Sequence, residues 1–416
     1  MTTGVRPSEV VVHLDSYELG PARAIGSLRL TGTRGRSAVS FTYGDAWLDR
    51  RDRFSVDPSL QLVGGTQYVV DGGLPGAFAD AAPDRWGRTL LERRETIMAR
   101  REARRPRTLD EWDFLLGVND RVRMGALRLA DGDGEFLDAG PLAVPPITRL
   151  RELESAARGV EMHRAHDDDA MNWLSLLIAP GSSLGGARPK ANFVAEDGRL
   201  WIAKFPSQAD RHDVGAWEYI LARLALRAGI TMPDIHLLDL GGEYRTFAAQ
   251  RFDRAGDARL LYVSGMTLVG TRDGGASSYL DLALAIADHG AHDTIDADLE
   301  QLFRRLVFNV VMSNRDDHLR NHGFLRTSDG WRLAPAFDLN PAPEKADHVL
   351  AIDDHVRVPD LALVRETSAF YRLSPARAGD ILDEVLAVAT DWRAVATREA
   401  GLRGDEMDFV GRAFLV

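Results

Sequence analysis

Short runs of apolar residues with β propensity begin the chain, and apolar residues recur at helical spacing further along. Residues 10–70 carry β-rich runs such as 10–14 and 38–43, with glycine-bearing turns between them. This pattern predicts a small sheet-containing unit. Residues 85–105 form a long, arginine-rich helical candidate, and the proline-bearing stretch 141–146 is the best candidate for a linker. Helices therefore follow the sheet, and a linker closes this part of the chain.

The middle of the chain predicts a hairpin followed by a helix. Residues 192–194 and 200–205 are apolar-rich strands joined through Asp197-Gly198, a dipeptide that tolerates positive φ and indicates a tight turn. Apolar residues then recur at helical spacing up to Gly229, which supplies a plausible stop. These residues are Val214, Trp217, Ile220, Leu221, Leu224 and Ala225.

Composition narrows the class of protein. At 416 residues the chain exceeds the size at which one core stops growing, so two or three packed units are expected. The net charge of -11 should repel nucleic acid, so any DNA contact needs a local patch or a partner. The absence of cysteine excludes disulfides, thiolate zinc sites and a cysteine nucleophile. We find no leader and no run near the roughly 20 apolar residues of a membrane span, which predicts a cytoplasmic protein.

One arginine-rich stretch is the candidate nucleic-acid surface on this acidic protein. Residues 93–107 hold seven arginines against two glutamates, Glu95 and Glu102. No stacking aromatic residues interleave the arginines. A solvated helix is therefore the favoured interpretation.

The segment 314–321 has the spacing of a kinase catalytic loop. It follows a helical pattern whose apolar face ends at Ser313, and it places Asp316 after an arginine with Asn321 five positions later. The chemistry explains the spacing, because one carboxylate must face an attacking hydroxyl while an amide oxygen reaches a magnesium ion. One loop would supply both groups.

Simpler interpretations of this loop stay open. Asp316 and Asp317 are also residues that cap helices. His318 and His322 have the spacing of a metalloprotease helix, but Leu319 stands where that motif requires glutamate, which argues against zinc.

A carboxylate and a lysine elsewhere in the chain complete the candidate set. Asp338 follows an apolar, strand-like run and suits a second magnesium ligand held at a sheet edge, although the Asp-Phe-Gly order is absent. Lys204 lies on the returning strand of the hairpin, where an ammonium group can hold phosphates, and Glu218 is a candidate partner for it. Alternatively, Lys204 is an exposed strand residue and Asp338 a turn residue before Pro341.

The segment 182–190 is a candidate phosphate-binding loop. It contains the adjacent glycines Gly185 and Gly186, which let the backbone approach phosphate, and the cationic side chains of Arg188 and Lys190. It matches neither the Walker pattern nor Gly-x-Gly-x-x-Gly, and a glycine pair is usually just a turn. The joint order of loop, lysine, aspartate, asparagine and aspartate is much harder to obtain by accident.

These residues resemble the HipA-like serine/threonine kinases, the toxins of bacterial toxin-antitoxin pairs. The resemblance covers most of the chain. Segments similar to the family's motifs are 78–87, 115–117 and 124–127 ahead of the kinase portion, then 185–190, 201–206, 250–254, 314–321 and 335–338.

The resemblance implies a role for each candidate residue. Asp316 becomes the catalytic aspartate, and Asn321 and Asp338 hold Mg²⁺. The expected ATP contacts are Ser183, Gly185, Gly186, Ala187, Arg188, Lys190, Lys204, Gln250, Arg251, Phe252, His318 and Asn321. Gln250 and Phe252 would meet the adenine, chiefly through backbone atoms.

Regulation by autophosphorylation is also implied. Ser183 occupies the place of the family's modified serine, with Ser182 as an adjacent competitor. Gln250 stands where relatives often carry glutamate, and Arg188-Pro189 replaces a more common Gln-Glu or similar pair. These departures put details of nucleotide contact in question but remove no catalytic group.

The expected fold is α+β: a bilobal protein-kinase-like fold with an N-terminal β-containing subdomain and a mainly helical C-terminal lobe. The expected domains are an N-terminal subdomain over 1–148, a kinase N-lobe with the glycine-rich loop and lysine strand over 149–254, and a helical C-lobe with the catalytic loop and metal site over 255–416.

The expected function is transfer of the ATP γ-phosphate to a protein serine or threonine. We read no helix-turn-helix in the chain, so DNA recognition would come only through a separate helix-turn-helix antitoxin. Two rivals remain: a small-molecule phosphotransferase, and a catalytically idle protein that binds an antitoxin or operator DNA.

Overall fold

The β-rich start of the chain folds as strands, as the sequence predicts. In the computed structural model, five strands form one antiparallel sheet in the order β4-β3-β2-β1-β5. They are β1 (Glu9–Ser16), β2 (Gly20–Thr33), β3 (Arg36–Tyr43), β4 (Thr66–Tyr68) and β5 (Leu127–Ala130). Val10, Val12 and Leu14 of β1 are buried on one face, so period-2 alternation supplies the core of this sheet.

The structure describes residues 6–33, 36–69, 73–137, 144–162, 173–174, 176–177, 186–272 and 274–416. The chain divides into two compact units. Unit 1 comprises residues 1–208 and 253–263, and unit 2 comprises residues 209–252 and 264–416. The three-domain division drawn from the sequence stays a prediction.

The helices of unit 1 are α1 (Asp45–Leu48), α2 (Gly76–Asp80), α3 (Arg85–Arg101), α4 (Glu111–Leu116) and α5 (Leu150–Met162) within its described residues. Helix α3 begins after Asp84, whose carboxylate accepts a hydrogen bond of 2.8 Å from the Gly87 amide. This contact satisfies one of the amide groups that a helix start leaves without a partner. Beyond the end of α3, Arg104 pairs with Glu95 and Glu102, and the ion pairs fit a solvated helix better than a nucleic-acid surface.

The predicted hairpin is present in unit 1. Strand β6 (Lys190–Val194) pairs antiparallel with β7 (Leu200–Lys204), in a register that sets Lys190 opposite Lys204. At the turn Gly198 adopts a φ of 82°, and the Arg199 amide donates to the Asp197 carboxylate at 3.0 Å. The Asp-Gly turn therefore forms as the sequence indicates.

Unit 2 begins with the predicted helix, α6 (Val214–Arg227). The Asp213 carboxylate caps its start by accepting from the Ala216 amide at 2.9 Å, and Gly229, with a φ of 77°, follows its end. A second antiparallel hairpin follows, formed by β8 (Ile235–Leu238) and β9 (Thr246–Gln250).

Unit 2 is mainly helical beyond this hairpin. A buried helix, α9 (Ile295–Val311), packs against α8 (Tyr279–His289) and α11 (Pro375–Ala389). Its apolar side chains, which include Leu302, Leu306 and Val310, are fully buried. The other described helices and strands from here to the C-terminus are α7 (Gly265–Val269), α10 (Leu361–Glu366), α12 (Trp392–Arg398), α13 (Asp405–Gly411), β13 (Gly323–Arg326) and β14 (Trp331–Leu333).

Three further short strands follow β9 in the sequence, in and just after the 253–263 segment of unit 1. They are β10 (Arg254–Ala255), β11 (Ala258–Arg259) and β12 (Tyr262–Ser264). No helix in the described parts of the chain is long and apolar enough to cross a bilayer.

Candidate active site

The candidate catalytic loop of unit 2 is held between a buried helix and a strand. Helix α9 ends at Val311, and Ser313 then adopts a left-handed φ of 56°. The Asn314 amide donates back to the Asn309 carbonyl at 2.9 Å. The loop continues through a single 3-10 turn, Leu319–Asn321, before β13 begins. Both ends of the loop are therefore fixed by packed secondary structure.

Asp317 anchors this loop to the core of unit 2. Its Oδ2 atom lies 2.8 Å from His322 Nε2, accepts from Asn309 Nδ2 at 3.0 Å, and accepts from the Tyr279 hydroxyl. Complete burial raises the pKa of Asp317, but His322 and the hydrogen bonds outweigh it, so the pKa lies below its ordinary value. A buried, ionised and hydrogen-bonded carboxylate fixes the loop from inside.

Asp316, one position earlier, is turned the other way. Its side chain is 62% exposed, whereas that of Asp317 is 4% exposed. The anchoring of Asp317 thus presents Asp316 to solvent, where an acceptor hydroxyl can reach it. Neither aspartate caps the 3-10 turn that follows, because the residue at that position is His318.

Lys345 contacts the candidate catalytic carboxylate directly, through an ion pair of its Nζ atom with Asp316 Oδ1. The Arg315 guanidinium donates to the Lys345 carbonyl, which holds the lysine segment against the loop. The sequence analysis missed this residue. Its only signal was a lysine seven positions after Asp338, a spacing that carries no chemistry by itself.

The segment that carries Asp338 is tied to the same loop. The Asn340 amide approaches Asn314 Oδ1 at 3.4 Å, and the Ala342 amide donates to the Ser313 carbonyl at 2.9 Å. The sequence placed Asp338 at the edge of a sheet, but β14 ends at Leu333 and residues 334–340 are irregular.

Asp338 itself has a left-handed backbone, with a φ of 59°. This conformation is uncommon for residues other than glycine, and aspartate and asparagine adopt it more readily than most. Asn340 Nδ2 lies 3.4 Å from Asp338 Oδ1. A strained backbone at a polar residue is frequent at functional sites and supports a role for Asp338 beyond that of a turn.

One of the predicted nucleotide contacts, Phe252, reaches the Asp338 segment. Phe252, just beyond β9, packs its ring against that of Phe337 with centroids 5.4 Å apart. The Gln250 amide donates to the Asp234 carbonyl at 2.8 Å, and Arg251 is buried. Unit 2 therefore brings the predicted adenine segment and the predicted metal segment together.

The donor chemistry fits magnesium. Asn321 and Asp338 offer amide and carboxylate oxygens, the ligand type that Mg²⁺ prefers. Among the described residues no group of three or more histidine, cysteine, aspartate or glutamate side chains is arranged to hold a metal. Mg²⁺ is usually bound through one or two carboxylates together with substrate phosphates and water.

Lys190 in unit 1 has a buried partner. Its side chain is 2% exposed, and its Nζ atom lies 2.6 Å from Asp84 Oδ2 and donates to the Gly186 carbonyl at 3.2 Å. Trp86 Nε1 donates to the Lys190 carbonyl at 3.0 Å. These contacts connect the glycine segment to the start of α3, and a direct contact of Lys190 with nucleotide stays a prediction.

The other unit 1 candidates are only partly described. Gly186 adopts a φ of 105°, a conformation that glycine permits, Ala187 follows it, and Arg188 Nη2 donates to the Phe205 carbonyl at 3.3 Å. Lys204 is half-buried at the end of β7. Ser182, Ser183 and Gly185 lie outside the described residues. Lys204 belongs to unit 1, whereas Asp316, Asn321, Asp338 and Glu218 belong to unit 2, so their convergence on one nucleotide stays a prediction.

A helical unit whose anchored loop projects one carboxylate, with the Asp338 segment tied beside it, defines a kinase-like class of protein. Two family models match the sequence: the HipA N-terminal domain over residues 21–130 and the HipA-like C-terminal domain over residues 182–392. The second alone covers half of the chain. The chain belongs to the HipA family, as the sequence motifs predicted.

Relatives of the chain carry kinase names. "Putative kinase Y4dM" of Sinorhizobium fredii is 30% identical over 325 residues, which are 72% of this chain and 71% of that protein. "Putative kinase" of Haemophilus influenzae is 26% identical over 190 residues, which are 39% of this chain. The chain spans 54% of that second relative.

Among solved structures, the chain is similar to one from the Shewanella oneidensis MR-1 toxin-antitoxin complex of HipA, HipB and operator DNA. The TM-score is 0.68 at 17% identity, and the match covers 97% of this chain and 94% of that chain. At this identity the likeness shows the fold alone. It confirms the predicted α+β, bilobal kinase-like architecture.

Proposed function

We propose that this HipA-family protein is an ATP-dependent kinase that phosphorylates a serine or threonine hydroxyl of a protein. The observation that carries the proposal is the contrast between two adjacent aspartates. Asp317 is buried and fixed by three hydrogen-bond partners, while Asp316 is projected to solvent. An anchored loop that presents one ionisable carboxylate is what positioning of an acceptor hydroxyl requires.

In the proposed reaction the acceptor oxygen attacks the γ-phosphorus of ATP in line with the leaving group. A new oxygen–phosphorus bond forms, the bond to the β–γ bridging oxygen breaks, and ADP departs. Asp316 orients the hydroxyl and accepts its proton. The Lys345 ammonium, already in contact with Asp316, is placed to stabilise negative charge on the phosphoryl group in transfer.

Asn321 and Asp338 would hold Mg²⁺, with Lys204 on the phosphates and the 250–252 segment on the adenine. When bound, the ion neutralises charge on the phosphates. The remaining nucleotide contacts fall on His318 and on the glycine segment, which Lys190 and Asp84 attach to α3.

Self-modification would regulate the enzyme. Phosphorylation of Ser183, or of the adjacent Ser182, would add close to two negative charges to a loop that must accept the phosphates of ATP, and it would lower activity by repulsion. Mass spectrometry after incubation with magnesium ATP is expected to show one phosphate on residues 182–183, and Ser183→Ala tells the two serines apart.

The exposure of Asp316 favours a protein acceptor over a small molecule, because small-molecule sites usually enclose their ligand. A second candidate function is antitoxin binding, which the structural likeness to a chain solved with HipB and operator DNA supports. With a net charge of -11, this protein would reach DNA through such a partner, and both would act in the cytoplasm.

The test of the enzyme proposal is phosphoryl transfer from labelled ATP to proteins of a cell lysate. Asp316→Asn should abolish transfer and leave the fold unchanged, while Asp347→Asn, an exposed carboxylate of the same unit, should behave as the unaltered protein. Transfer by Asp316→Asn at the unaltered rate would remove Asp316 from the mechanism.

A further inference from the structure

A cavity of about 290 Å³ lies beside the catalytic loop of unit 2. Three arginines from three separate segments line it: Arg272 after α7, Arg320 in the catalytic loop, and Arg357 in the segment that follows Asp338. His318, Ser277 and Val349 also line the cavity. We call this cavity the arginine pocket.

The lining of the arginine pocket carries positive charge and so favours an anion. None of the described residues that line it is acidic, although the whole chain carries a net charge of -11; Asp273, next to Arg272 in the sequence, lies outside the described residues. Three arginines that line one space offer several guanidinium donors to a bound oxyanion. Guanidinium donors are arranged to hold phosphate or carboxylate oxygens in pairs.

His318, which lines the pocket, carries a buried polar atom without a partner. Its Nδ1 atom is buried and has no hydrogen-bond partner in the protein. A buried polar atom without a partner costs free energy, so such atoms in native proteins usually meet a ligand or water. His318 also lines the pocket, so a ligand bound there would lie beside this residue.

Backbone hydrogen bonds hold the walls of the pocket together. The Val349 amide donates to the Arg315 carbonyl at 3.1 Å, which joins the post-Asp338 segment to the catalytic loop. The Ala351 amide donates to the Ser277 carbonyl at 3.0 Å, which joins the same segment to the start of α8. The three arginines therefore sit on connected backbone, and the pocket is formed before any ligand arrives.

The pocket shares His318 with the expected ATP contacts and otherwise lies apart from the proposed nucleotide and metal residues. Its lining includes neither the 250–252 segment nor Asn321 or Asp338. The catalytic loop links the pocket to the proposed chemistry, because His318 follows Asp316 by two positions and Arg320 directly precedes Asn321. The pocket therefore shares a loop with the group that would meet the acceptor hydroxyl.

We propose that the arginine pocket binds an oxyanion on the acceptor protein, either a phosphorylated side chain or a glutamate or aspartate close to the hydroxyl that is modified. This specificity role rests on the proposed kinase function. A single cavity of about 290 Å³ suits one anionic side chain of a peptide.

The experiment measures peptide binding by isothermal titration calorimetry, using the full chain and three peptides that differ at one position: phosphoserine, glutamate or serine. The variants are Arg320→Gln and Arg357→Gln, singly and together, with Arg365→Gln, an exposed arginine of α10, as the matched control. Binding of a fluorescent ATP analogue and circular dichroism are measured for every variant.

We expect an anionic peptide to bind more tightly than the serine peptide, and each pocket variant to weaken that binding by about tenfold, as loss of a charge-assisted hydrogen bond does. Nucleotide binding and the Arg365→Gln variant should be unchanged. Stronger binding of the phosphoserine peptide identifies a phosphorylated acceptor, and equal binding of the glutamate peptide identifies an acidic one.

The proposal is overturned if the anionic peptides bind no better than serine, or if the double variant binds them as tightly as the unaltered protein. Loss of the kinase proposal would look different. In that case the unaltered protein would transfer no phosphate, while the preference for anionic peptides and its dependence on Arg320 and Arg357 would persist.

Discussion

The buried ion pair of Lys190 and Asp84 allows a quantitative test that is independent of function. The two side chains are 2% and 6% exposed and their charged atoms are 2.6 Å apart. Removing one member of a buried pair leaves an uncompensated charge and costs about 3–5 kcal/mol. Because solvent reaches neither group, no reduction for screening applies. We therefore expect Lys190→Met, which nearly preserves volume, to destabilise unit 1 by about 3 kcal/mol at neutral pH.

Removing both charges should restore most of this loss. In Asp84→Asn combined with Lys190→Met, the amide oxygen of the asparagine can still accept from the Gly87 amide, so the cap of α3 survives. The double variant should be more stable than Lys190→Met alone by about 1–3 kcal/mol. Arg151→Met, at an exposed position of α5, serves as the control and should change stability by less than about 0.5 kcal/mol.

The effect of pH has a definite sign. Burial raises the pKa of Asp84 above its ordinary value of 3.8, and Lys190 offsets part of that rise. In Lys190→Met the offset is gone and the pKa of Asp84 rises further. A carboxyl group with a raised pKa binds its proton more tightly in the folded state. Its contribution to stability is therefore greatest at pH values below its pKa in the unfolded state, and it is lost as pH rises through its pKa in the folded state. The deficit of Lys190→Met should therefore shrink in acid.

Hydrogen exchange followed by mass spectrometry is the suitable assay, because a chain with two units need not unfold in one step. Peptides that cover residues 85–101 and 190–194 should lose protection in Lys190→Met, and peptides of unit 2 should not. An unchanged protection pattern at neutral pH, or a deficit that does not vary with pH, would refute the reasoning.

Three further predictions concern unit 2. Lys345→Gln should lower the transfer rate by about 10²-fold with nucleotide binding retained, because it removes a positive charge beside Asp316; single-turnover transfer and ATP titration measure the two effects. Asp317→Asn should release the catalytic loop, which lowers stability by about 3 kcal/mol and also lowers activity. Faster hydrogen exchange in residues 314–322 would report the release. Burial lowers the pKa of His348 to about 4, so the unfolded protein binds a proton at this residue at a higher pH than the folded protein does. Stability is therefore lost as pH falls below about 6.5. The His348→Gln variant should lose less stability over the same pH range, and acid denaturation measures the difference.

Local patterns were sufficient for many elements of the fold. The Asp197-Gly198 turn, the strands around it and the periodic helix that ends before Gly229 were predicted from neighbouring residues, because turn chemistry and helical spacing act over a few positions. Asp316 and Asn321 also lie in one short loop, as their spacing in the sequence predicted. The prediction of a strand up to Asp338 was wrong, since an apolar run of this length fits a buried irregular segment equally well.

Tertiary structure decided which chemically similar residues play which part. The motif spacing singled out Asp316, but only the contacts of Asp317 with Tyr279, Asn309 and His322 bury Asp317 while Asp316 stays exposed. No sequence pattern indicated that Lys190 pairs with Asp84, 106 positions away. The sequence alone determined which candidate functional side chains are present. Their burial and ion pairing depend on residues distant in the chain, so only the folded structure determined them.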